Sequence, residues 1–110
     1  MNAYDHAHAL ARALRQHPDV VALNEARARL EADPNAKQMF DEFTRKSMQL
    51  QLQEMSGKSV SDEERENLDK LAEIVYQHSL IREFQEKAAR VERILQDIYG
   101  IVGKAIQPED

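Results

Sequence analysis

The last third of this chain carries a repeat that leaves little choice of structure. Ile81, Phe84, Ala88, Val91, Leu95, Ile98, Val102 and Ala105 recur at spacings of three and four in strict alternation, a 3.5-residue period held for more than three heptads. Only a helix gathers such positions on one side, so the spacing predicts a helix over residues 79–106 with a packing seam along it. Ile94 and Ile101 lie roughly 80–100° or more off that seam on a helical wheel, which gives this helix apolar surface outside one narrow stripe. Arg82 with Glu86 and Arg93 with Asp97 stand four residues apart and read as ion pairs of a solvated face.

The rest of the chain is punctuated for helices. It holds three Gly and three Pro, and their positions cut it into helix-length pieces without a flexible linker. Near residues 3–16, Ala3, Ala7, Leu10 and Leu14 share a face with Tyr4 and Ala11 beside them. Pro18 suits the first position of a second helix over 18–32, where its missing N–H is an orphan in any case; Val20, Leu23 and Leu30 with Val21 and Ala26 form its stripe. Asp33 before Pro34 predicts an N-cap and a third helix over 34–56. Ser61 with Glu64 reads as a capping box for a fourth helix near 62–77, whose buried side would be Leu68, Leu71, Ala72, Val75 and Tyr76.

One stretch of the third piece argues the other way. "MQLQLQEM", residues 48–55, alternates apolar and polar with the period of a half-buried strand. Turned at ~100° per residue, Ala36, Met39, Phe40, Phe43, Ser47 and Leu50 fall within roughly ±60° of one direction, while Met48, Leu52 and Met55 cluster about 100–160° away. Two apolar stripes interleaving along a helix therefore produce the alternation. Gln and Met are good helix formers disfavoured in strands, and Gly57 is placed to end the helix in the left-handed conformation.

Composition removes several function classes. With no Cys, there is no disulfide, thiolate zinc site, cysteine-ligated cluster or cysteine nucleophile. Net charge is −5, and no segment of the chain is net basic, against the concentrated Lys and Arg of a protein that binds nucleic acid by displacing counterions from phosphates. No apolar run approaches the ~20 residues of a membrane span, and the N-terminus lacks the basic and apolar regions of a secretory signal, so a cytoplasmic protein is expected.

The candidate sites mostly have plain structural readings. His6 and His8 are two apart and point about 200° from each other on a helix, so they cannot chelate one ion; His17 and His78 sit at helix junctions, where capping or surface roles are the simpler reading. Asp62, Glu63 and Glu64 suit the positive end of a helix dipole better than a metal or partner site. "GIVGKA", residues 100–105, has two residues between its glycines and Ala after Lys, whereas a phosphate loop needs four and Ser or Thr. No catalytic, metal or cofactor set emerges. Met48, Leu52 and Met55 could be ordinary core; their competitor is an adaptable surface for a partner helix, since flexible thioethers flanked by Gln repack readily. Ile94 and Ile101 join them as the candidate protein-interaction surface, beside the seam Ile81, Phe84, Ala88, Val91, Leu95, Ile98 and Val102.

The segment "ADPNAKQMFDEFTRKSMQLQLQEMSGK", followed by "SDEE" and "QHSLIREFQEKAARVERILQDI", with "YDHAHALARAL" before it, resembles the YlbF/YmcA family of small bacterial helical proteins, most closely its YheA-like branch. The resemblance covers nearly the whole chain. It implies antiparallel helical assemblies forming dimers or larger oligomers through their long helices. It also implies an accessory role in competence, sporulation and biofilm control, within a complex that influences mRNA processing by an endoribonuclease. Some relatives bind iron–sulfur clusters through cysteines; a chain without Cys does not inherit that.

The expectation is thus one all-α domain over 1–110, an antiparallel bundle of about five helices with two long ones, partly open and completed by oligomerisation. Its expected function is non-enzymatic, regulatory or adaptor work through protein–protein contact, as a homodimer or higher homo-oligomer with regulatory protein partners. Direct RNA binding, disfavoured by the dispersed charge, and an enzyme of unknown class are the alternatives. Leu95→Asp tests the seam: an unpaired charge there costs several kcal/mol, so the variant loses helicity or assembly by circular dichroism and light scattering.

Overall fold

Each helix starts at a side chain that can accept a backbone N–H. In the computed structural model, which describes residues 1–108, the helices are α1 (Ala3–Gln16), α2 (Pro18–Ala32), α3 (Pro34–Met55), α4 (Asp62–Tyr76) and α5 (Ser79–Ala105), with no strand among the described residues. Asp33 Oδ1 accepts from Asn35 and Ala36, both at 3.1 Å. His17 Nδ1 accepts from Asp19 at 3.0 Å and His78 Nδ1 from Leu80 at 3.3 Å, so both junction histidines are N-caps, satisfying donors the helix cannot. A single residue separates α1 from α2 and α2 from α3, and an extended backbone at His17 and Asp33 makes those turns abrupt.

Two caps differ from expectation. The reciprocal capping box is at Asn2, which accepts from Asp5 N–H at 3.0 Å while its own N–H donates to Asp5 Oδ2 at 3.2 Å. At α4 only half of the motif forms: Ser61 Oγ accepts from Glu64 N–H at 3.1 Å, and the Glu64 carboxylate takes the Ser61 hydroxyl at 3.3 Å. Gly57 closes α3 with φ +83°, its N–H donating to Glu54 O at 3.2 Å and that of Lys58 to Gln53 O at 2.9 Å. This pair of bonds is the Schellman arrangement, and "MQLQLQEM" is the last two turns of a helix.

Four buried side chains meet at one place, while Leu23 and Ala26 on α2 and Val60 ahead of α4 are buried apart from it. Leu30 near the end of α2, Ala36 at the start of α3, Val75 at the end of α4 and Ile81 at the start of α5 form the buried cluster. Met39, Phe40, Phe43, Leu71, Leu80 and Phe84 pack around it. Phe40 and Phe84 meet edge to face, centroids 5.5 Å apart at 84°, and Arg27 lies over the Phe84 ring at 5.7 Å. From this hub leave two antiparallel arms, α2 with α5 and α3 with α4. Arg29 near the end of α2 reaches Glu83 at the start of α5, and Arg65 near the start of α4 meets Glu54 near the end of α3 at 3.0 Å.

Away from the hub the apolar stripes are less covered than expected. Tyr76 is exposed, although the pattern on α4 places it on the buried side. Arg82 donates to the Tyr76 carbonyl at 3.1 Å, one of the orphan acceptors at the end of α4, instead of pairing with Glu86. Neither Arg82–Glu86 nor Arg93–Asp97 is among the ion pairs the described residues form. Exposed pairs gain under about 1 kcal/mol, so a better acceptor decides the matter.

The dimensions follow from this plan: 53 × 38 × 18 Å, with a radius of gyration of 18.3 Å against about 13 Å for a compact chain of this length. The shortest dimension, 18 Å, is about that of two helices packed ~8–10 Å between axes, so the protein is a flat body no more than two helices deep. Ile81→Ala empties the hub and is expected to cost about 2–5 kcal/mol in urea unfolding, a large part of the stability of so small a core.

Candidate interaction surface

The helix α3 presents two faces with different fates. Ala36 is buried and Met39, Phe40, Phe43, Ser47 and Leu50 are half-buried, directed at the hub and at α4. Leu50 and Leu68 border both shallow clefts flanking the α3–α4 contact. The other apolar stripe faces outward, with Met48, Leu52 and Met55 exposed by 57%, 62% and 76%. Asp41, Thr44, Arg45, Met48, Gln49 and Leu52 line one open, mostly apolar groove that belongs to this helix alone. The spacing that interleaves the two stripes in sequence thus separates them in space.

The α5 positions divide in a similar way. Ile81 is buried; Phe84, Ala88, Val91, Leu95 and Ile98 are half-buried; Val102 is exposed by 54%. Ile94 is half-buried and Ile101 is 71% exposed. Sequence reasoning passed over Tyr99 and Ile106, both exposed, which extend the apolar surface at the end of α5. The signal was present: Tyr99, Val102 and Ile106 are spaced three and four apart. Ile74 and Tyr76 on α4 and Tyr4 on α1 are exposed as well.

The exposed surface is apolar, with polar groups dispersed around it. Among the described residues, no three His, Asp or Glu side chains come together to hold a metal ion. The grooves are open and bordered by dispersed polar groups. "GIVGKA" lies wholly within α5, so its amides are engaged in helix hydrogen bonds. No helix is long and apolar enough to cross a membrane among the described residues. What the α3 groove offers is an apolar floor with Asp41, Arg45 and Gln49 at its edge, a form suited to an amphipathic helix.

Comparison with known proteins adds a second line. The family described as control of competence regulator ComK, YlbF/YmcA, matches residues 3–107. UPF0342 protein STH1710 of Symbiobacterium thermophilum is 35% identical over 103 residues, covering 94% of this chain and 92% of that protein. UPF0342 protein RBAM_010030 of Bacillus velezensis is 34% identical over 104 residues, covering 94% and 90%, and UPF0342 protein BpOF4_11360 of Alkalihalophilus pseudofirmus is 32% identical over 106, covering 96% and 90%.

The two faces of α3 predict opposite mutational outcomes. Leu52→Glu is expected to retain helicity and unfold within about 0.5 kcal/mol of the parent, whereas Leu50→Ala costs roughly 1–2 kcal/mol by thermal or urea unfolding.

Proposed function

Because this chain belongs to the YlbF/YmcA family, we propose that it is a non-enzymatic regulatory adaptor that works by protein–protein contact, as a homodimer or higher homo-oligomer. The single observation that carries this reading is its surface. The chain exposes 8726 Å², against about 6,200 Å² for a compact monomer of its mass. Large exposed apolar patches on a water-soluble chain mark contact sites, and here they lie on α1, α3, α4 and α5 at once. The family's description, control of the competence regulator ComK, supports a regulatory setting. A cytoplasmic location accords with a chain that uses no disulfide.

Within this reading Met48, Leu52 and Met55 form the face for a regulatory partner's helix. Methionines flanked by polar side chains fit partner helices of differing shape with little loss of packing. Light scattering at micromolar concentration is expected to give twice the chain mass or more; a monomer overturns the homo-oligomeric part. The double variant Met48→Asp, Leu52→Asp is expected to keep that mass while losing, by at least tenfold, the proteins co-purified by the parent chain from its native host. Unchanged co-purification overturns the assignment of the face.

A further inference from the structure

Helix α1 is amphipathic and has almost nothing to pack against. Among the described residues it touches α2 alone, and none of its side chains is buried. Tyr4 is 79% exposed and Leu10 is exposed too, although they lie with Ala7 and Leu14 along one apolar stripe. A helix of 14 residues is marginal by itself in water, so a continuous apolar face on it calls for cover.

The end of α5 has the complementary problem. Arg29 reaching Glu83 and Arg27 over Phe84 place the last turns of α2 beside the first turns of α5. With 27 residues in α5 and 15 in α2, the helices are about 40 and 22 Å long at ~1.5 Å per residue. About 18 Å of α5 therefore runs past the start of α2. The chain turns away at His17, and α1 does not follow that overhang. Ile98, Tyr99, Ile101, Val102 and Ile106 lie on it, all exposed except the half-buried Ile98.

We propose that two copies associate reciprocally, with α1 of each lying along the last turns of α5 of the other. This deepens the homo-oligomeric reading above and rests on it. Three features select a second copy as the occupant. At about 21 Å, α1 matches the overhang in length. Both bare surfaces occur once on every chain, so a two-fold arrangement covers both together and leaves neither open; a foreign partner on one would leave the other in water. The surface exposed beyond that of a compact monomer, about 2,500 Å² per chain, is shared among α1, α3, α4 and α5, and a standard interface needs only about 800 Å² of it from each partner, leaving the α3 share uncovered. The α3 face with Met48 lies on the other arm and stays available to a regulatory partner.

The absence of Cys makes introduced thiols unambiguous. Full-length Leu10→Cys and Val102→Cys chains, co-expressed and treated with a short bismaleimide, are expected to give a covalent pair in which mass spectrometry joins the peptide holding position 10 to that holding position 102. Leu10→Cys co-expressed with Met48→Cys is expected to give at least tenfold less joined product. Val102→Asp and, independently, Leu10→Asp are expected to lower the assembled fraction at least tenfold with helicity kept, as both sites are exposed within one chain. If the parent chain scatters as an oligomer but position 10 joins to Met48→Cys, or to neither, the reciprocal arrangement is overturned and the homo-oligomeric reading stands. A monomeric parent chain overturns both.

Discussion

Everything in this structure depends on one small cluster where the ends of four helices meet. Leu30, Ala36, Val75 and Ile81 come from α2, α3, α4 and α5, and each contributes a terminus rather than a middle. That choice is physical. Helices joined by one or two residues must have their ends adjacent, as α2 with α3 and α4 with α5 do, so the junctions bring four apolar ends together almost without further chain entropy. Phe40 and Phe84 extend the cluster a turn outward. Beyond them each arm is held by a single pair of helices.

The consequence is a protein that exposes its apolar stripes by construction. Domains normally bury such stripes between packed layers, and a body 18 Å deep whose helices pair off in two arms leaves the outer side of each pair uncovered. In the α2–α5 arm the longer helix outruns the shorter. In the α3–α4 arm the inner stripe of α3 is covered and the outer one is not. The exposed apolar surface and the small size of the core thus have one origin, the end-to-end hub. Membership of the YlbF/YmcA family accords with such a body.

Much of this was legible from residues alone, and the legible part is local. The 3.5-residue period from Ile81, the Pro18 and Pro34 starts, the Asp33 cap and Gly57 as a left-handed stop all depend on a few neighbouring residues, as do the two stripes of α3. The misreadings involve competition between partners. Ser61 and Glu64 have the spacing of a capping box, but a carboxylate that can reach a hydroxyl need not return to the backbone. Arg82 and Glu86 have ion-pair spacing, but the free carbonyl of Tyr76 stands nearer. The reciprocal capping box at Asn2 and Asp5 uses Asn and Asp in place of the Ser or Thr and Glu or Gln of the usual pattern, so its spacing is a weaker signal.

The sequence by itself determined the all-helical class, the helix order, the inner and outer stripes of α3 and the lack of thiol chemistry, because propensity, capping and periodicity act over a few residues. Only the tertiary structure decided which stripes found a partner. Ile81 and Val102 belong to the same seam, yet one is buried and the other exposed, because burial depends on where α2 begins and where α1 turns. That is a matter of how far one helix runs beside another, and no window of sequence contains it.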